Sequence, residues 1–163
     1  MAYGDPPSAA ARLAQSGLLT ALVDGLFSSG LSVAFYGSTV QRLFQGVAAT
    51  LLGPEAFDGG LRTAVIGVLM HIGVAFGWSA VFLVLFSRVH GVRNFVARPG
   101  GVVAAASVYG PFVWLVMSLV VIPVLLQRPP SITIRWWVQF FGHMLFVGLP
   151  IVASIATRDH HRR

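Results

Sequence analysis

The chain has 163 residues, of which 56% are hydrophobic and only 10% are charged, and its mean hydropathy is +0.79. A soluble domain usually carries about 25% charged residues, so this composition indicates an integral membrane protein. Cys is absent from the sequence, which excludes disulfides, thiolate metal sites and Cys nucleophiles. The formal net charge is +6, and all 11 basic residues are Arg. Because they are scattered among apolar segments, we attribute them to topology and lipid head-group contact, and we expect no nucleic-acid binding.

The length and the apolar runs predict one domain of four membrane-spanning helices, each long enough to cross a core of about 30 Å. The predicted spans cover residues 13–39, 61–86, 101–126 and 132–156. A polar tail at 1–12 precedes them, and a basic tail at 157–163 follows them. The predicted fold class is therefore all-α, an integral membrane four-helix bundle with a short amphipathic or interfacial helix after the first span.

The first span carries a row of polar residues at every fourth position. The row consists of Ser16, Thr20, Asp24, Ser28, Ser32 and Tyr36. Residues four apart lie on one face of a helix, so this span is predicted to be a membrane helix with a polar seam. An ionisable carboxylate, Asp24, stands near the middle of that seam.

Residues 40–52 have an amphipathic pattern, with large apolar residues at helical spacing and Gln41, Arg42 and Gln45 elsewhere. The segment is too short to cross a membrane alone. It either extends the first span beyond the bilayer or lies along the interface.

Three ionisable residues fall at the same depth in their spans. At a rise of about 1.5 Å per residue, Asp24, His71 and His143 each lie about 15 Å from the start of a span, near the membrane midplane. If each helix points its polar or small face inward, the three side chains meet in a buried polar cluster. The other predicted members of this cluster are Gln139, Ser28, Ser107 and Ser118.

The sequence leaves the role of this cluster open. Polar residues inside a membrane often serve as interhelical hydrogen bonds, which favours a non-enzymatic structural or accessory subunit that acts by association in a homo-oligomer or a larger membrane complex. Alternatively, the cluster is a proton or ion path in a small proton-coupled transporter, since ionisable residues at this depth are functional candidates. A third interpretation makes His71 and His143 ligands of a haem, a bacteriochlorophyll or, together with Asp24, a metal ion, although no cofactor is predicted by default.

Two smaller residue sets have structural interpretations. Gly73 and Gly77 form a small-xxx-small pair that permits close helix contact, within the bundle or between protomers. Arg42, Arg62 and Arg135 fall at one membrane edge, where contacts with lipid head groups or salt bridges are expected.

The distribution of Arg predicts the orientation. The face that holds both termini and the 87–100 loop carries Arg12, Arg88, Arg93, Arg98, Arg158, Arg162 and Arg163. The opposite face carries Arg42, Arg62, Arg128 and Arg135. Because positive charge is enriched in cytoplasmic loops, both termini are predicted to be cytoplasmic.

Four segments carry a resemblance to a known group of proteins. They are TVQRLFQGVA at 39–48, LMHIGVAFGW at 69–78, LVMSLVVIP at 115–123 and GHMLFVGLP at 142–150. In these segments the chain resembles a family of uncharacterised small bacterial inner-membrane proteins with four spans. The resemblance covers residues 18–155 and implies a bacterial inner membrane and four helices. It assigns no catalytic residue and no ligand.

Overall fold

The computed structural model describes residues 8–156, which form helices and connecting turns without a β-strand. The helices are α1 (Ala9–Ala34), α2 (Val40–Leu52), α3 (Gly60–Arg88), α4 (His90–Val96), α5 (Gly101–Leu126) and α6 (Ile134–Ala156), with a 3-10 turn at Pro54–Phe57. Four of them, α1, α3, α5 and α6, are long and apolar enough to cross a membrane, so the predicted all-α fold is confirmed. Most of the predicted N-terminal tail and all of the basic C-terminal tail lie outside the described residues.

The first span begins and ends earlier than its apolar composition suggests. Ser8 caps α1 by accepting a hydrogen bond from the amide of Ala11, so residues 9–12 are helical. The helix ends at Ala34 because Gly37 adopts a left-handed conformation, with φ of 58°, and the Ser38 amide donates to the Ser32 carbonyl. The prediction that this span continues to residue 39 is therefore wrong.

The segment at 40–52 is a separate helix, α2, which does not extend α1. Thr39 caps it by accepting a hydrogen bond from the amide of Arg42. The helix folds back onto the first half of α3, where the Gln45 amide nitrogen donates to the Gly60 carbonyl over 3.0 Å. Gln45 is thus buried, although its polarity placed it on the outer face of the predicted helix. The backbone of Phe44 packs so tightly on Gly67 that a Cβ at that position would collide with it.

Each of the last two long helices contains one π-helical segment that ends just before a Pro. In α5 the segment is Met117–Val121, and the Ile122 amide donates to the Met117 carbonyl immediately before Pro123. In α6 the segment is Met144–Gly148, followed by Pro150. A Pro cannot donate to the carbonyl four residues earlier and clashes with it, so the wider turn accommodates the ring without breaking the helix.

Different helices lie at the two ends of the bundle. The start of α1 meets the end of α6 at one end, where the Arg12 guanidinium donates to the Ile155 carbonyl over 3.2 Å. The short helix α4, which the sequence analysis treated as loop, lies at this same end. We call the half of the bundle near these contacts the terminal half. The other half, where α1 ends and α3 begins, contains α2 and is called the α2 half.

The terminal half holds the main hydrophobic core. Its buried members are Phe82, Phe86, Val96, Ala106, Tyr109, Val113, Val147, Ile151, Val152, Ile155 and Ala156. In this core α5 and α6 approach closely at Gly110 and Gly148, where an added Cβ would meet backbone atoms of the other helix. Gly73 and Gly77 do not serve this purpose, because a Cβ at either position would meet nothing within 4 Å. Their predicted packing role within the bundle is therefore wrong.

Candidate functional site

A large cavity occupies the α2 half of the bundle. Helices α3 and α5 touch in the terminal half, where the Tyr109 hydroxyl donates to the Trp78 carbonyl over 2.7 Å. Beyond this contact they separate and leave a cavity of about 770 Å³, which α1 and α6 also line and α2 covers. Most of its walls are aliphatic or aromatic. Its polar lining residues are Thr20, Asp24, Ser28, Thr50, His71, Gln139 and His143.

Asp24 and His71 face each other across the joint between α1 and α3. The Asp24 Oδ2 atom lies 3.9 Å from the His71 Nε2 atom, too far for a hydrogen bond but close enough for an electrostatic contact. The same Nε2 atom lies 3.0 Å from the Ala21 carbonyl oxygen. Because a carbonyl can only accept, we assign the hydrogen to Nε2. Asp24 is the only carboxylate among residues 8–156 that lines the cavity.

His143 and Gln139 bring α6 into the same site. The His143 Nδ1 atom donates to the Gln139 carbonyl over 2.7 Å, and the His143 ring lies 4.8 Å from the Trp114 ring. The Gln139 side-chain nitrogen lies 3.5 Å from the Ser28 hydroxyl, one helical turn along α1 from Asp24. Three helices therefore hold the polar part of the cavity in place.

Among residues 8–156, four buried side-chain polar atoms have no hydrogen-bond partner, and all four belong to residues that line this cavity. They are Thr20 Oγ1, Asp24 Oδ1, Trp114 Nε1 and Gln139 Oε1. Buried polar groups are nearly always paired, and each unpaired one costs about 1–3 kcal/mol. These four groups lie beside one cavity, where a bound molecule or ordered water would pair them.

The structure thus brings together most of the residues that the sequence analysis singled out. Asp24, His71, His143, Gln139 and Ser28 all line the cavity, but Ser107 and Ser118 do not. Ser107 lies closer to the terminal end than Tyr109, whose contact with α3 closes the cavity. Ser118 instead accepts a hydrogen bond from the Trp136 indole over 3.0 Å.

Two lining residues that carry unpaired polar atoms were missed as site residues. Thr20 was recognised only as part of the polar seam, although its position four residues before Asp24 placed it on the same face. Trp114 carries one of the unpaired polar atoms, and its helical spacing from Ser107 and Ser118 places it on the same face of α5.

His71 also borders a second, smaller cavity of about 380 Å³ between α1 and α3. Gly25 and Phe44 line both cavities, and the Phe44 ring lies 5.9 Å from the His71 ring. These three residues therefore form the partition between the two cavities.

The predicted ligand role of the His residues stays a prediction. His71 directs its Nε2 hydrogen toward the backbone of α1 and His143 directs its Nδ1 hydrogen toward the Gln139 carbonyl, so the other ring nitrogen of each keeps its lone pair. Among residues 8–156 no group of three His, Asp or Glu side chains is arranged to hold a metal ion.

The three Arg residues predicted at the membrane edge lie in the α2 half and are exposed. The Arg42 guanidinium lies 4.6 Å from the centre of the Phe57 ring, and that of Arg135 lies 3.7 Å from the centre of the Tyr36 ring. The salt bridges expected of Arg42, Arg62 and Arg135 do not form between described residues. Their positions suit contact with lipid head groups, which stays a prediction.

Comparison with known proteins gives no relative: no protein-family model, no curated protein and no solved structure matches this chain.

Proposed function

We propose that this chain is a small membrane carrier that admits an amphiphilic molecule from the bilayer into the cavity between α3 and α5, and exchanges a proton at Asp24 and His71. The observation that carries this proposal is the set of four unpaired polar atoms in a single cavity. A structural joint would pair these groups, as it does elsewhere in the bundle. A ligand-binding site leaves them for the ligand.

The shape of the cavity supports an amphiphilic ligand. Its volume of about 770 Å³ is within the range of about 300–1,000 Å³ that is typical of small-molecule sites. Lining residues at its mouth are also exposed on the outer surface, for example Val74 at 39% and Leu125 at 45%. That surface is apolar, so a ligand would enter sideways from the lipid and place its polar group on the seam of α1.

The pair of Asp24 and His71 supports proton exchange. A carboxylate and an imidazole can each take up or release a proton, and here they stand 3.9 Å apart. Burial of an ionisable pair inside a membrane bundle costs free energy, and such residues often belong to proton relays and transport paths. His143 faces the same cavity and completes the set of titratable groups around Asp24.

We further propose that the protein resides in a bacterial inner membrane with both termini in the cytoplasm. The argument is the excess of Arg at the terminal end, together with the resemblance described above.

A test of the carrier function measures charge movement in proteoliposomes adsorbed on a solid-supported membrane after a step in pH. Wild-type protein should give a transient current as protons enter the site from water. Asp24→Asn should reduce the current by about tenfold or more, because the amide cannot take up the proton. Ser16→Ala, on the same seam but outside the cavity, is the matched control and should retain the current. Equal currents from wild-type and Asp24→Asn protein would refute the carrier function.

A second candidate function is association, either with a second copy or with another membrane subunit. The observation that favours it is the exposed position of Gly77 on α3, outside the cavity, where an added Cβ would meet nothing within 4 Å. Small residues on a lipid-facing surface let helices approach closely. Native mass spectrometry should then show a defined oligomer that Gly77→Trp disrupts, whereas a monomer in both proteins would count against association.

A further inference from the structure

Building on the proposed carrier function, we infer that the ligand's polar group is an ammonium that bears N–H donors, attached to an apolar body. The inference concerns the chemistry of the head group only. Two observations support it: the identity of the polar atoms that lack a hydrogen-bond partner, and the identity of the charged groups that line the cavity.

The unpaired atoms are mainly acceptors. Asp24 Oδ1 and Gln139 Oε1 are carboxylate and amide oxygens, and the Thr20 hydroxyl oxygen can accept as well. Thr20 lies one turn before Asp24 on α1, and Gln139 is held one turn after it through Ser28. The acceptors therefore follow one another along the seam, separated by about 5–6 Å per turn. One nitrogen can bridge acceptors about 5–6 Å apart, so a primary ammonium that donates to Asp24 Oδ1 has N–H groups left for an acceptor one turn away, either Thr20 or Gln139.

The charges of the cavity also favour a cation. Asp24 is the sole carboxylate that lines it, and no Arg among residues 8–156 does so. An anionic head group would face the Asp24 carboxylate without a permanent positive partner. Each lining His already donates one ring hydrogen to a backbone carbonyl, His71 to Ala21 and His143 to Gln139.

Aromatic rings add to the preference for a cation. Phe44, Trp78 and Trp114 line the cavity, and a cation within about 6 Å of an aromatic face is attracted by the negative face of the ring. Trp114 also carries the one unpaired N–H donor of the site. A hydroxyl group next to the ammonium would satisfy that donor, so an amino alcohol would complete the set.

The test is a competition among four amphiphiles with the same decyl chain, read by native mass spectrometry of the full-length protein. The probes are decylamine, decyltrimethylammonium, decanol and decanoate, supplied together at equal concentration. We expect the decylamine adduct to dominate, with one molecule per chain. Asp24→Asn should weaken it by about tenfold or more, since a charge-assisted hydrogen bond is lost.

Two Trp variants provide a control that does not depend on the charge at Asp24. Gly73 lines the cavity and Gly77 does not, yet a side chain at either position meets open space. Gly73→Trp should therefore obstruct the cavity and weaken binding, whereas Gly77→Trp should bind decylamine like the wild type. Both variants should fold, because neither introduces a clash in the bundle.

The outcomes separate the head-group inference from the carrier function. Binding of decyltrimethylammonium as tight as that of decylamine would overturn the requirement for N–H donors. Preferential binding of decanol or decanoate would overturn the ammonium assignment, while the carrier function would stand. No adduct with any of the four probes would contradict both.

Discussion

The polar seam of α1 is paired with neighbouring helices in one half of the bundle and left partly unpaired in the other. In the terminal half, the Ser16 hydroxyl donates to the Ser79 hydroxyl over 2.9 Å, and both side chains are fully buried. Toward the α2 half, Thr20 and Asp24 follow at intervals of one turn, and each has a buried oxygen without a partner. Adjacent turns of one helix thus carry paired polar groups in one half and unpaired polar groups in the other.

This difference shows that a buried polar residue in a membrane helix cannot be assigned a role from its type or its depth. Its role depends on whether a neighbouring helix brings a partner. In the terminal half α3 lies against α1 and supplies Ser79. In the α2 half α3 supplies His71, whose Nε2 hydrogen is directed to a backbone carbonyl, so Asp24 Oδ1 stays unpaired.

The largest expected effect comes from breaking the packing of the terminal half. Gly110→Val places a side chain where α6 presents the backbone of His143, so the two helices must separate. We expect a loss of about 3 kcal/mol or more in the free energy of unfolding, since backbone atoms cannot move aside as a flexible side chain can.

The matched control is Gly77→Val, which meets open space and should leave stability nearly unchanged. Reversible unfolding of both variants in mixed detergent measures the difference. Equal stability of Gly110→Val and wild type would show that α5 and α6 are not packed as described.

A smaller effect on the free energy of unfolding is expected from substitutions at neighbouring turns of the polar seam. Ser16→Ala should destabilise the protein by about 1 kcal/mol, because it leaves the buried Ser79 hydroxyl without its partner. Thr20→Val keeps the shape of the side chain and removes an unpaired oxygen, so stability should stay the same or rise. The same unfolding assay compares both variants. A larger loss for Thr20→Val than for Ser16→Ala would mean that Thr20 is paired within the bundle.

The fold could be predicted from the sequence largely because apolar runs of membrane length are strong signals. The third span was predicted at 101–126, and α5 covers Gly101–Leu126. The end of the first span was missed because the row of polar residues at every fourth position continues in register to Tyr36, beyond the end of the helix. Only the left-handed conformation of Gly37 ends it there.

The site could be predicted in part. The common depth of Asp24, His71 and His143 indicated a cluster, and all three line one cavity. The cavity itself could not be foreseen, because it depends on where α3 and α5 separate and on the way α2 folds back. Ser118 is buried, as its polarity indicated, but it pairs with Trp136 of α6 and does not line the cavity.

The most direct test of the central claim, that the α2 half contains a ligand site open to the bilayer, is photolabelling in nanodiscs with an apolar diazirine. We expect peptide mapping to find label on Trp114 and Met117, which line the cavity, in wild-type and Gly77→Trp protein. Gly73→Trp should lose this label but keep it on lipid-facing residues such as Leu22 and Val84, each 60% exposed. Label confined to the outer surface of wild-type protein, or label on Trp114 that Gly73→Trp leaves unchanged, would contradict the account.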